Sequence, residues 1–195
     1  MVRDLSSGPR RFVELQRTLP GISTEQLRSR LNRMVADGLL TRQRYREVPP
    51  RVDYELTARS RELMPVLAAV ARWGLDWVWS EPRPAEDVNI GAIMRLAPGM
   101  LASLDPPAET LELVVEAGDH GTRSFVVTAQ EDGITLSEEP QVETDGRVRG
   151  SRAAWISALG PDADTGGLRF EGSRALADLL LQAFAARKRT HADVA

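Results

Sequence analysis

The stretch from Gly8 to Trp73 constrains this chain more than any other, because its local signals agree on one arrangement. Arg11 to Leu19 reads as a short helix with Phe12 and Leu15 on one side, and Pro20-Gly21 ends it in a turn. Ser23 stands as N-cap with Gln26 three residues on, the reciprocal pairing of a capping box. In the helix that follows, Leu27, Leu31, Met34 and Val35 fall on one face at helical spacing, so that face is core. Asp37-Gly38 closes the helix, with the glycine as left-handed cap. Leu40 to Arg46 and Val52 to Leu56 then read as two strands. Between them lies the tip Glu47-Val48-Pro49-Pro50-Arg51, whose prolines cannot pair on a ladder. Helix, turn, capped helix and ribbon in this order make a winged helix-turn-helix, a shape that fits duplex DNA.

The polar faces supply the candidate site. At 100° per residue, the side opposite the core face carries Glu25, Ser29, Asn32 and Arg33, flanked by Gln26 and Arg28, with Thr24 in the first turn. These side chains are able to hydrogen-bond base edges. Arg42, Arg44 and Arg46 alternate along one face of the first strand, and Arg51 is expected to join them from the tip. The DNA-binding set is thus Thr24, Glu25, Gln26, Arg28, Ser29, Asn32, Arg33, Arg44, Arg46 and Arg51, the last three as phosphate contacts. Any exposed helix face is polar, and a row of arginines also fits a plain solvated strand. Their joint occurrence points to DNA.

Charge agrees with this division. The net charge of −3 conceals an asymmetry: residues 1–80 hold 14 Arg against 9 acidic residues, and residues 81–195 hold 11 basic against 19 acidic. A basic surface gains affinity for phosphate by counterion release and an acidic one is repelled, so only the first part is suited to face DNA. All basic residues except Lys188 are arginine, which fits GC-rich coding and carries little weight by itself. The chain contains no cysteine, which excludes disulfides and thiolate metal sites. The start Met1-Val2-Arg3-Asp4-Leu5 is not a signal peptide, and no apolar run approaches the ~20 residues of a membrane span. A cytoplasmic protein is expected.

Thr57 to Trp79 is the longest helical segment. Leu63, Val66, Leu67, Val70, Trp73 and Trp77 form a stripe with a spacing near 3.5, and Pro65 is expected to kink the helix near Arg61. One small domain cannot easily absorb this stripe together with Trp77 and Trp79. The surplus suggests burial against a second copy or against the C-terminal domain, although intrachain packing accounts for part of it. Ser80-Glu81-Pro82-Arg83-Pro84-Ala85 reads as a linker, which gives domains 1–80 and 81–195.

The wording of the first domain resembles the HxlR-type winged-helix transcription regulators, a branch near the MarR regulators. The resemblance rests on Gly8-Pro9-Arg10-Arg11-Phe12-Val13-Glu14-Leu15, Leu19-Pro20-Gly21-Ile22-Ser23, Arg30-Leu31, Gly38-Leu39-Leu40, Val48-Pro49-Pro50-Arg51-Val52-Asp53-Tyr54 and Leu56-Thr57. It implies a homodimeric, DNA-binding, winged helix-turn-helix protein; no cofactor is expected. Two departures stand out. Family members carry a further N-terminal helix, so a wrongly assigned start or a truncation is expected. Ser60 stands where the family commonly has glycine, and redox sensing of the kind some relatives use has no cysteine to act through.

From Thr110 the period changes to two. Thr110 to Ala117 and Thr122 to Gln130 read as strands joined by Gly118-Asp119-His120-Gly121, followed by Ile134 to Leu136 and Val142 to Arg149. Gly150-Ser151 starts a helix with Trp155, Ile156 and Leu159. After the loop Gly160 to Gly167 come a last strand, Leu168 to Glu171, and a helix from Ser173 to Arg187 with Leu176, Leu179, Leu180 and Phe184 inward. This order resembles the sterol-carrier-protein type of lipid-binding domain over about residues 90–188. The expected fold class is therefore α+β: a winged helix-turn-helix followed by a sterol-carrier-like domain with a mostly antiparallel sheet. The resemblance implies an apolar cavity lined by Phe125, Val127, Trp155, Leu159, Phe170, Leu180 and Phe184. The same spacings fit a filled core, and the sequence leaves both open.

Catalysis has no constellation to rest on: His120 lies in a hairpin turn and His191 in a polar tail. Asp162 and Asp164 match no metal loop, and Gly160 to Gly167 lacks the lysine of a phosphate loop. The leading expectation is a dimeric transcriptional regulator whose C-terminal domain binds a hydrophobic small molecule as effector and biases the spacing of two reading heads. The alternative is a small-molecule carrier that has lost DNA recognition and keeps the winged helix for dimerisation.

Overall fold

In the computed structural model, residues 1–46, 51–77, 88–116, 121–141, 143–160 and 162–185 are described. The expected ribbon tip at 47–50, the linker at 80–85, Trp79, the turn residues Gly118, Asp119 and His120, Lys188 and His191 lie outside them. The chain divides into two compact units, Met1–Met64 and Pro65–Ala195. The division falls inside the segment Thr57 to Trp79 that the sequence pattern presents as one helix.

In the first unit a 3-10 turn, Arg3–Leu5, precedes β1 (Arg10–Arg11), α1 (Phe12–Thr18), α2 (Thr24–Ala36), β2 (Leu40–Tyr45), β3 (Arg51–Leu56) and α3 (Ala58–Arg61). The strands form an antiparallel sheet in the order β1-β3-β2. Arg11 is the N-cap of α1 and ends β1, so the helix starts one residue later than its pattern suggests. Gly38 adopts a φ of +70°, as a left-handed cap requires. One core joins Leu15 of α1, Leu27 and Leu31 of α2, and Leu40, Tyr54 and Leu56 of the sheet. Met34 and Val35 are only partly buried against it.

The segment after Leu56 is two helices and not one kinked helix. Thr57 caps α3, α3 ends at Arg61, and α4 runs from Met64 to Trp77. Pro65 sits in the first turn of α4, where a missing N–H costs nothing because no carbonyl precedes it in the helix. The glycine-to-serine departure at residue 60 also has a physical account. Ser60 is fully buried, and its hydroxyl donates to the Leu39 carbonyl at 2.6 Å.

The second unit holds α5 (Ile90–Met94), α6 (Ala97–Leu101), β4 (Thr110–Glu116), β5 (Thr122–Gln130), β6 (Gly133–Ser137), β7 (Gly146–Ser151), α7 (Arg152–Leu159), β8 (Arg169–Gly172) and α8 (Ala175–Phe184). Its sheet runs β6-β5-β4-β7-β8, antiparallel except for the β4–β7 pair. The mostly antiparallel expectation therefore agrees, but the strand expected from Val142 begins only at Gly146. The side chain of Asp145, just ahead of it, accepts from the Thr110 amide at 2.7 Å. The short helices α5 and α6 have too little length to show a period. Leu111, Leu113, Val115, Phe125, Val127, Trp155, Leu159, Leu180 and Phe184 share one buried core.

Glycine is required where β7 and β8 approach. Gly172 has a φ of +71°, and a Cβ there would meet the Asp145 carbonyl oxygen at 2.2 Å. Gly172→Ala should therefore lower stability by about 1–3 kcal/mol. Urea unfolding followed by Trp fluorescence measures it, and an unchanged midpoint would count against this packing.

Candidate nucleic-acid interface

The reading helix is set by its first turn. The Ser23 hydroxyl accepts from the Gln26 amide at 3.2 Å, and the Gln26 side-chain oxygen accepts from the Ser23 amide at 3.3 Å. This satisfies two donors that a helix start otherwise leaves open. It also turns Gln26 back toward its own cap, away from the base-reading role expected of it. Thr24 is engaged as well, its hydroxyl accepting from the Gln16 side-chain amide at 3.0 Å. Gln16 carried no sequence signal for this contact, since it joins two helices across a turn.

With Leu27 and Leu31 fully buried, the other face of α2 is left to solvent. Glu25, Arg28, Ser29, Asn32 and Arg33 are all exposed. Arg33 lies 3.6 Å from Asp37 one turn on, a pair of exposed groups that contributes little. Arg28, Ser29 and Asn32 have no hydrogen-bonding or ionic partner among the described residues.

The register of the ribbon decides where its arginines go. Leu40 pairs with Leu56, Arg42 with Tyr54 and Arg44 with Val52. Residues directly opposite share a face, so Arg42 and Arg44 lie on the same side of the sheet as Tyr54, Leu56 and Leu40. That side receives the helices, because Leu40, Tyr54 and Leu56 pack with Leu27 and Leu31. Beyond the core the same side of the ribbon is free, and Arg42, Arg44 and Arg46 are exposed there or just past the strand end. The outward face of α2 and the arginine row thus project from one side of the domain.

Arg51 does not join that row. It opens β3 and pairs with Tyr45, so it lies on the opposite face of the ribbon. Its guanidinium is engaged by Asp53, with Nε at 2.9 and 2.8 Å from the two carboxylate oxygens and Nη2 at 2.6 Å from one of them. The same group lies 5.3 Å from the Tyr45 ring. Asp53 itself is buried, although an acid in a short strand reads as a surface residue. Its place in an alternating strand was the available signal, for an acid beside a basic neighbour two residues away marks a shared face.

In the second unit, Phe125, Val127, Trp155, Leu159, Leu180 and Phe184 are buried in one cluster, and Phe170 is only partly buried beneath Arg174, whose guanidinium lies 4.0 Å from its ring. The Trp155 indole donates to the Val114 carbonyl at 3.0 Å. Asp164 accepts from the Gly166 amide at 2.9 Å as part of a turn. No group of three or more His, Cys, Asp or Glu that could hold a metal occurs among the described residues, and none of their helices is long and apolar enough to cross a membrane.

Residues 1–82 match the family model for HxlR-like helix-turn-helix proteins. The uncharacterized HTH-type transcriptional regulator YvaP of Bacillus subtilis (strain 168) is 32% identical over 78 residues, which cover 40% of this chain and 72% of that protein. The chain belongs to the HxlR-like helix-turn-helix family. Another relative, the uncharacterized HTH-type transcriptional regulator sll1512 of Synechocystis, is 46% identical over 81 residues, covering 42% of this chain and 60% of its own length. The chain spans 53–60% of the length of the first four curated relatives it matches. Among solved structures, the reduced form of the transcriptional regulator YodB from B. subtilis is 32% identical, with a TM-score of 0.37, 39% of this chain and 74% of that one covered.

The cap geometry of this HxlR-like domain carries its own test. Ser23→Ala should cost about 1 kcal/mol of stability by leaving first-turn amides unpaired. Ser23→Gly should cost only a few tenths. Equal losses from the two changes, read from urea midpoints, would show that the hydroxyl does not cap.

Proposed function

We propose that the chain is a DNA-binding transcriptional regulator that acts as a homodimer and takes a hydrophobic small molecule in its C-terminal domain. The observation that carries DNA binding is the common direction of two surfaces. The exposed side of α2, with Arg28, Ser29 and Asn32, projects from the same side of the domain as Arg42, Arg44 and Arg46. A helix in the major groove beside a cationic ribbon on the backbone requires that arrangement. Family membership supports the reading. Glu25 and Ser29 stand beside the base-reading pair Arg28 and Asn32, and Arg44 and Arg46 face phosphates.

Dimerisation is supported by α4. Val66, Val70, Trp73 and Trp77 follow one another at steps of four, three and four, and all four are exposed. That spacing is the seam of paired helices, and a second copy offers the matching seam. The effector reading is supported by strand order β6-β5-β4-β7-β8 with a helix after each of β7 and β8, which suits a sterol-carrier-like domain.

Mobility shift with genomic fragments at stated salt tests the first part. Arg28→Ala and Asn32→Ala should each weaken specific retardation by about 1–3 kcal/mol while sparing non-specific binding. A protein that retards no DNA at low salt is instead a carrier or sequestering protein. For the dimer, Val70→Glu places a charge in the seam and should convert the sedimenting species to monomer. A dimer that survives the change uses another surface.

A further inference from the structure

The two faces of the ribbon carry arginines in opposite electrostatic states. Arg42 and Arg44 stand on the helix-side face and Arg46 just beyond it, exposed and without an ion-pair partner among the described residues. Arg51 stands on the other face in a short ion pair with Asp53, whose side chain is only 2% exposed. A carboxylate meets a guanidinium as a backbone phosphate does, through two oxygens set to receive adjacent N–H groups. Here Nε and Nη2, one edge of the fork, are already taken by Asp53. The Tyr45 ring, 5.3 Å from Cζ, supports the guanidinium from its face.

We propose that Asp53 occupies Arg51 in place of a DNA phosphate, so that the ribbon grips duplex DNA only through Arg42, Arg44 and Arg46. This inference rests on the reading that the domain binds DNA. For Arg51 to turn to a phosphate it would have to leave a buried carboxylate without its counter-charge, which costs more than one solvent-exposed phosphate contact returns. The Asp53 charge also cancels that of Arg51, so the pair would displace few counterions from a duplex on that face. Asp53 is then a positioning residue that sets which side of the ribbon meets the duplex. It makes the wing one-sided.

The test uses the full chain and a random-sequence 30-base-pair duplex, with affinity followed from about 50 to about 200 mM salt. Each lost phosphate contact lowers the slope of log affinity against log salt by about 0.9. Arg44→Met and Arg46→Met should each produce that decrease. Replacing the ion pair as a whole, with Arg51→Met and Asp53→Leu together, should leave the slope at the wild-type value, because exchanging both charges for apolar groups avoids an orphaned buried charge. Asp53→Asn, which frees the guanidinium, should raise the slope by up to about 0.9. The inference fails if the paired replacement lowers the slope as Arg44→Met does, and that result leaves DNA binding intact. A wild-type protein that does not bind the duplex, or binds without salt dependence, overturns the DNA reading and this inference with it. If Asp53→Asn does not fold, the paired replacement alone decides.

Discussion

The burial of Leu40, Tyr54 and Leu56 on one side of a two-stranded ribbon fixes nearly everything that the first unit presents to its surroundings. Strand side chains alternate, so three anchored residues set the side of every other residue in β2 and β3. Paired positions across the ribbon are even with even and odd with odd, from Leu40 with Leu56 to Tyr45 with Arg51. A slip of one residue in β3 would turn Tyr54 and Leu56 out of the core and bring Asp53 and Glu55 toward the helices, which is why the register is so strongly specified. The base of the ribbon is tied down too. The Thr57 hydroxyl donates to the Gly38 carbonyl at 3.0 Å, and Ser60 donates to Leu39, joining α3 to the end of α2.

The second unit solves a different problem, a sheet that must bury one whole face. Leu111, Leu113 and Val115 of β4, with Phe125 and Val127 of β5, point into the core shared with α6, α7 and α8. A buried indole must find an acceptor, and Trp155 finds it in the backbone of β4 at Val114. Helix α5 is also held by a buried charge pair. Arg95, fully buried at the end of α5, donates to Glu138 at 2.7 and 3.1 Å, and Arg123 reaches the same carboxylate at 3.4 Å. Neither residue belongs to a periodic pattern, so this cross-link between α5, β5 and the end of β6 was not legible in the sequence.

What was legible follows the range of the interaction. The cap at Ser23, the left-handed Gly38 and the strands at Thr122–Gln130 and Arg169–Gly172 depend on neighbours within a few residues, and the sequence pattern finds them within one or two positions. The side of the ribbon on which Arg51 falls depends on the parity of pairing between two strands. A cationic residue near a tip reads the same in either parity, so only the register separates it from Arg44. The ending of α3 at Arg61 failed for a related reason. Proline inside a helical pattern reads as a kink, and whether it starts a new helix depends on the turn at Glu62 and Leu63. On α4 the pattern found the apolar stripe but not its direction: Ala68 is buried and Leu75 packs beside it, while Val66, Val70, Trp73 and Trp77 face out. Two valines and two tryptophans facing outward reverse the usual order, and hydrophobicity alone cannot distinguish the two faces.

Net charge is a coarse guide to where a polyanion would bind, because pairing removes many cations from the count. In the first unit Arg3 is paired with Asp4, Arg51 with Asp53, Arg61 with Glu55 and Arg33 with Asp37. Each such pair presents a dipole to solvent, not a charge, and a dipole releases few counterions. The arginines left without an ion-pair partner among the described residues include Arg28 and Arg30 on α2 and Arg42, Arg44 and Arg46 along β2 and just past its end. Both groups follow from local rules, one from helical period and the other from strand alternation. That they face the same way follows from neither rule. It comes from the sheet packing its Leu40 side against Leu27 and Leu31, so the hydrophobic core aims the charges.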